Sequence, residues 1–183
     1  IIDIGSFDGR LLNDISKSNK NINFFGYDIT FPKKNFYSNI IKYTNNLDLK
    51  IKFDLVILSH SLFYFDNLNA LFKKIKQIIN TNGKIIIQIP NIKLNPFNLF
   101  LGDQKYYFTK SSLKNIFKIN NFNLKIIKNT YFERDLVFFA EYSIKKHDTI
   151  LIKNDKEIKN ALNDLIKLKQ KIDKKRYKNI SIF

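Results

Sequence analysis

Apolar residues in this chain come in short runs closed by glycine, proline or an acid, and between the runs they recur at helical spacing. Ile1 to Ile4 is the first run, ended at Gly5. A turn bounded by Gly9 follows, then Leu11, Leu12 and Ile15 one helical turn apart, so the pattern predicts strand, tight loop, helix. Asn23-Phe24-Phe25-Gly26-Tyr27-Asp28 is a second strand closing on an acid, and Phe31-Pro32-Lys33-Lys34 breaks it. Asn39 to Tyr43 is a short third strand. Phe53 to Leu58 reads as a strand buried on both faces, followed by Leu68, Leu71, Phe72, Ile75, Ile78 and Ile79 on one helix face. That helix is expected to close on a C-cap at Gly83. Lys84 to Ile89, stopped by Pro90, is the fifth strand. Apolar strands alternating with helices imply a parallel sheet covered on both faces.

The rhythm changes after Pro96. Thr109 offers an N-cap for a helix carrying Leu113, Ile116 and Phe117. Two extended runs, Leu124 to Lys128 and Leu136 to Tyr142, then predict an antiparallel hairpin at one sheet edge. Asn154 with Glu157 makes a capping-box-like start to an amphipathic helix over about 155–175, with Ile158, Ala161, Leu162, Leu165, Ile166 and Ile172 as one stripe. The expected fold is thus α/β, a doubly wound, mostly parallel sheet with an antiparallel edge hairpin and a C-terminal amphipathic helix. No internal repeat is visible.

Composition narrows the chemistry. Hydrophobic residues make up 44% of the 183 positions and charged ones 26%, enough for a core and too apolar for a disordered basic tail. No apolar run approaches the roughly 20 residues of a membrane span, and no signal-peptide layout opens the chain, so a soluble cytoplasmic protein is expected. The absence of Cys removes disulfides, thiolate metal sites and thiol nucleophiles, and His60 and His147 are the two imidazoles. No metal site is expected. The chain lacks Met and opens inside a strand-like run, which suggests a fragment cut at both ends. Its reliance on Ile, Lys, Asn, Phe and Tyr is what adenine- and thymine-rich codons would produce.

Candidate chemistry sits in Asp3-Ile4-Gly5-Ser6-Phe7-Asp8-Gly9 and in Asp28, nineteen residues beyond Gly9. Glycines let the backbone approach a nucleoside, and an acid at the tip of the next strand accepts ribose hydroxyls. The spacing is not the G-x-G-x-x-G that feeds a pyrophosphate onto a helix. With Asp3 and Asp8 flanking the loop, a cationic ligand fits better than a diphosphate.

These residues resemble the class I S-adenosylmethionine-dependent methyltransferases. Asp3-x-Gly5-x-Phe7-x-Gly9 is similar to that family's E/D-x-G-x-G-x-G loop, with Phe7 in place of the middle glycine, so its ring must point away or pack on the loop. Gly26-Tyr27-Asp28 resembles the ribose-binding strand end, Phe53-Asp54-Leu55-Val56 with Ser59-His60-Ser61-Leu62 the fourth strand and its exit, and Asn82-Gly83-Lys84 the start of the fifth. The resemblance covers residues 1 to about 142 and implies a Rossmann-like fold with S-adenosylmethionine as cofactor. It implies Asp3, Gly5, Ser6, Phe7, Gly9, Asp28, Ser59 and His60 as cofactor-binding residues, with Asn45 or Asn46 near the adenine. Asp103-Gln104-Lys105-Tyr106-Tyr107-Phe108-Thr109 resembles a stretch of the enzymes that methylate sugars and nucleotide sugars, which points to a small, phosphorylated sugar as substrate. Gln104 stands where that group has a His, so Asp103 and Tyr107, with Tyr106 behind them, are the catalytic candidates if a base is needed. Residues 1–144 form the expected methyltransferase domain, 145–178 a linker with the amphipathic helix, and 179–183 the first strand of a further unit. His147 receives no role.

Net charge is +16, and residues 145–178 hold 12 Lys+Arg against 5 Asp+Glu, so the excess is spread and not gathered in one stripe. Such a surface attracts any polyanion, which keeps an RNA methyltransferase as the alternative, and a non-catalytic interaction domain as another. The aromatics fall mainly inside apolar runs, where packing explains them.

Overall fold

A computed structural model describes residues 1–19, 21–30, 41–127, 133–143 and 156–174. Seven strands run β1 (Ile2–Ile4), β2 (Phe24–Tyr27), β3 (Ile41–Thr44), β4 (Phe53–Ser59), β5 (Ile79–Pro90), β6 (Phe122–Ile127) and β7 (Asp135–Tyr142). Four helices, α1 (Arg10–Ser18), α2 (Leu68–Ile78), α3 (Lys110–Ile119) and α4 (Lys156–Lys174), and two 3-10 turns, Leu62–Tyr64 and Pro96–Phe100, complete the described elements. The strands form one sheet in the order β3-β2-β1-β4-β5-β7-β6. β1 to β5 are parallel, and β7 pairs antiparallel with both β5 and β6. The expected doubly wound sheet with an antiparallel edge hairpin is therefore present. Strand order reverses between β1 and β4, and open α/β sheets bind ligands beyond the carboxyl ends of strands at such a point.

The core is built from the apolar positions the pattern selected, joined by Phe122, which lies before the expected Leu124 to Lys128 run. Val56 and Leu58 of β4, Ile85 and Ile87 of β5, Phe72, Ile75 and Ile78 of α2, Leu113 and Phe117 of α3, Phe122 of β6 and Phe138 of β7 are all fully buried. Phe72 meets Phe117 edge to face at 4.8 Å between centroids, and Phe122 closes the trio at 6.0 and 6.1 Å. A smaller cluster of Leu12 and Phe24 seats α1 beside β2. In β5 burial alternates, with Ile85, Ile87 and Ile89 inside and Ile86 half-buried, so here the sheet is less fully covered than its apolar run implied.

One helix end differs from expectation. α2 stops at Ile78 instead of closing at Gly83, because Ile79 turns extended (φ −87°, ψ 142°) and pairs with Phe53 at the foot of β4. Gly83 lies inside β5 at the register shift between Phe53 and Leu55. A Cβ there would stand 2.4 Å from Ile79 Cγ1 and 3.0 Å from Phe53 O, so the glycine serves the bulge and not a helix cap. At its other end α2 is capped by Asn67 Oδ1, which accepts from Ala70 N, and α3 by Thr109 in a capping box with Ser112.

The C-terminal helix buries Ala161 and Leu165 against the 96–100 turn, while Leu162, Ile166 and Ile172 of the expected stripe are exposed. The proposed cap Asn154, the break at Phe31–Lys34, His147 and the strand expected over 179–183 lie outside the described residues. No helix among the described residues is long and apolar enough to cross a membrane.

Candidate functional site

The loop after β1 is held by the end of β2. Gly5 N and Ser6 N both donate to Tyr27 O, at 2.8 and 2.9 Å, and Phe7 N donates to Asp28 Oδ2 at 2.8 Å. Gly5 has φ +85°, and a Cβ on it would lie 2.3 Å from Ser61 Cβ, so only glycine lets the β4 exit close against the loop. Ser61 fastens that contact by donating its hydroxyl to Ile4 O. Phe7 adopts the left-handed conformation (φ +46°) usually left to glycine, and at 71% exposure its side chain points away from the loop.

Gly9, at φ +77°, is the N-cap of α1. A Cβ on it would fall 1.5 Å from Tyr43 Oη, and one on Gly26 would fall 2.7 Å from the Tyr43 ring. Tyr43 of β3 thus lies across both glycines, and its hydroxyl donates to Asp8 O at 3.3 Å. No motif marks this bracing role, since in the apolar pattern Tyr43 reads only as the end of a strand.

Two carboxylates face this loop. Asp3 is 3% exposed, and its Oδ1 is buried without a hydrogen-bond partner. Burial first, and the charge of Asp28 second, push the Asp3 carboxyl up to about 7. Asp28 is half-buried, with Oδ2 taken by Phe7 N and Oδ1 accepting from Thr30 N and Thr30 Oγ1 at 2.9 and 2.7 Å. A buried acceptor left unpaired costs folding free energy, and a ligand that brings a cationic donor to Asp3 relieves it. The expected cationic ligand fits this arrangement, because its charge also offsets the repulsion between the two acids.

The exit of β4 carries a second polar group. Ser59 Oγ donates to Gln88 Oε1 at 3.0 Å, and Gln88 Nε2 donates to Asp135 Oδ2 at 2.7 Å. His60 Nε2 meets the same Asp135 oxygen at 3.2 Å, and His60 itself sits at φ +52°. Asp135, 75 residues away in the chain, and Gln88 were not marked by any motif. They arrive because Ser59 is level with Gln88 across β4 and β5, and β7 begins where β5 ends, Pro90 opposite Asp135.

The segment 103–107 approaches from the same edge: Lys105 N donates to Phe63 O, and Tyr64 OH donates to Asp103 Oδ2 at 3.0 Å. Burial, then the bond to Asp103 and its charge, hold the Tyr64 phenol above its ordinary value. Tyr107 OH is turned instead onto Leu101 O at 2.7 Å, and Tyr106 OH onto Asp66 O at 3.0 Å. Asp103 and Tyr107 therefore do not share a hydrogen bond. Asn46 is spent on its own turn, with Oδ1 accepting from Asp48 N at 2.8 Å, and Asn45 beside it is exposed. No cluster of three or more metal-ligating side chains occurs among the described residues.

A family model described as a methyltransferase domain matches residues 1–127. No curated protein sequence matches the chain. Among solved structures, a Nostoc punctiforme protein named as a candidate O-methyltransferase superposes with a TM-score of 0.62 at 20% identity, over 76% of this chain and 50% of its own. The plantazolicin methyltransferase BpumL, crystallised with S-adenosylhomocysteine and a monoazolic desmethylPZN analogue, gives 0.63 at 14% identity, over 78% and 75%. An O-methyltransferase family protein from Burkholderia thailandensis gives 0.62 at 11% identity, over 78% and 50%. The chain thus spans half the length of two of these three. At such identities the likeness is one of fold.

Proposed function

The chain belongs to the methyltransferase-domain family, and on that premise we propose that it transfers a methyl group from S-adenosylmethionine to a small metabolite, a sugar or a nucleotide sugar. The observation that carries this reading is the buried, unpartnered Oδ1 of Asp3 beside a glycine loop against which Ser61 of the β4 exit closes at Gly5. When bound, S-adenosylmethionine supplies an electrophilic methyl group on a sulfonium. Asp3 would accept a hydrogen bond from the amino group of its methionine moiety. Asp28, already fixed by Phe7 N and Thr30, keeps acceptor capacity for the ribose hydroxyls. The loop from Gly5 to Gly9, braced by Tyr43, holds the two acids at a fixed separation. Methyl transfer asks mainly for an acceptor held in line with the methyl group, so a rigid cradle supplies much of the rate.

The sugar part of the proposal rests on the 103–109 stretch and on surface charge. That stretch is tied to the β4 exit by Lys105 N on Phe63 O and by Tyr64 OH on Asp103, which supports Asp103 as a group near the acceptor. Phe7 and Tyr64, both exposed, offer flat faces on which a sugar or a base can lie. A chain of net charge +16 also favours a phosphorylated acceptor.

Calorimetric titration with S-adenosylhomocysteine tests the cofactor: a single saturable site is expected, and a folded protein that takes up none contradicts the proposal. Transfer of labelled methyl to nucleotide sugars tests the acceptor. Labelling of RNA in their place, with steep salt dependence, would replace the sugar by a nucleic acid.

A further inference from the structure

We infer that His60 and Asp135 form a proton-accepting dyad at the acceptor side of the cradle, so that the group methylated is a hydroxyl that must lose its proton. This rests on the methyltransferase reading and adds to it the residue that takes the proton and the class of acceptor atom. The geometry is one of a held imidazole. Nε2–H of His60 donates to Asp135 Oδ2, and that oxygen is itself fixed by Gln88 Nε2 at 2.7 Å, with Gln88 fixed in turn by Ser59. His60 N donates to Gln88 O at 2.9 Å, so backbone and ring are both tied to β5 and β7. The tautomer this imposes leaves Nδ1 as a lone pair with no hydrogen bond among the described residues, on a side chain 42% exposed. A carboxylate on one imidazole nitrogen orients the ring and leaves the other nitrogen aimed as a proton acceptor.

Position points the same way. His60 follows β4 directly, beside the reversal of strand order, and Ser61 next to it is packed on Gly5. The left-handed backbone at His60 is a strained choice for a residue with a side chain, and such strain gathers where a group must be aimed. Among the described residues, the charged partner of the ring is Asp135. Asp135 is on β7, flanked in sequence by Glu133 and Arg134. Asp3 lies on β1, and Tyr64, in the 62–64 turn, donates to Asp103. Gln88, from β5, carries no charge.

In the reaction the acceptor oxygen forms its bond to the methyl carbon while the carbon–sulfur bond breaks, its electron pair remaining on sulfur. The hydroxyl proton passes to His60 Nδ1, giving an imidazolium beside Asp135. Asp135 is a positioning residue in this step.

The test needs no acceptor. Sinefungin carries an amine where the transferred methyl group stands, close to any group that serves the acceptor, whereas S-adenosylhomocysteine carries nothing there. Calorimetry is run with both ligands on the wild type, His60→Gln and Asp135→Asn, with nitrogen-15 NMR of the imidazole to report its tautomer. His60→Gln is expected to weaken sinefungin about tenfold or more, the worth of one hydrogen bond to a charged group, and to change S-adenosylhomocysteine less than about threefold. The wild-type ring is expected as the Nε2–H tautomer, and Asp135→Asn to mix the two tautomers while the protein stays folded. Equal loss for both ligands makes His60 a cofactor contact and overturns the inference, as does no loss for either or a ring protonated on Nδ1. If the wild type binds neither ligand, the methyltransferase reading fails and this one with it.

Discussion

Asp3 gives the sharpest handle on the site, because the group proposed to meet the cofactor is also the one that burial disfavours. Its carboxyl is raised from the ordinary value of 3.8 to about 7. Between those values the folded state holds a proton that the unfolded chain has released. Stability therefore falls as pH rises from about 4 towards 7 and levels off above. The full span of about 3 pH units corresponds to about 4 kcal/mol, of which about 2 to 3 kcal/mol accrues between pH 5 and pH 8. At 3% exposure little of this is screened by solvent. Asp3→Asn removes the titration. Urea unfolding of the ligand-free proteins at pH 5 and pH 8 should show the wild type losing about 2 to 3 kcal/mol more than the variant over that interval. An amide in this place also costs about 1 to 3 kcal/mol if its donors go unmet, but that cost is the same at both pH values and cancels from the difference. Parallel pH dependence in the two proteins would refute the reasoning.

Further expectations follow from the same contacts. Binding of S-adenosylhomocysteine should weaken as pH falls from 8 to 6 in the wild type, because its amino group pairs with the ionised form of Asp3; calorimetry of Asp3→Asn should show weak binding without that dependence. Gly9→Ala forces a Cβ to within 1.5 Å of Tyr43 Oη at φ +77°, so it should lower stability by at least about 1 kcal/mol from the backbone alone. Gly9→Ala with Tyr43→Ala should cost less than the sum of the single changes, and additivity in thermal unfolding would remove Tyr43 as the brace. Phe72→Ala, which empties the centre of the Phe72, Phe117 and Phe122 cluster, should cost about 3 to 5 kcal/mol in chemical denaturation, and a loss under about 1 kcal/mol would mean the core is not packed as described.

The fold was readable because each apolar run is punctuated locally. Gly5, Gly9, Pro90 and Thr109 mark where strands and helices stop or start, and each of them does so in the structure. Ile79 misled because an isoleucine four residues beyond Ile75 fits a helix face and a buried strand equally well. Only its pairing with Phe53, 26 residues back, decides. The cradle was half readable. Asp3, Gly5, Gly9 and Asp28 announce themselves by spacing, whereas Tyr43, Gln88 and Asp135 reach the site through strand register, which sets which distant residues stand side by side and leaves no local signal. Asp103 and Tyr107 read as alternative base candidates from sequence, with Tyr106 behind them. In the folded segment their side chains turn to different partners, Tyr64 and Leu101 O.

The central claim is that Asp3, the Gly5–Gly9 loop and Asp28 form one cofactor cradle, and titration of wild type and Asp28→Ala with S-adenosylhomocysteine addresses it directly. The wild type should bind at one site per chain, and Asp28→Ala, which loses a charge-assisted acceptor for the ribose and the anchor of Phe7 N, should bind about tenfold more weakly or worse while remaining folded. No binding by the folded wild type, or equal affinity in the two proteins, would contradict the account.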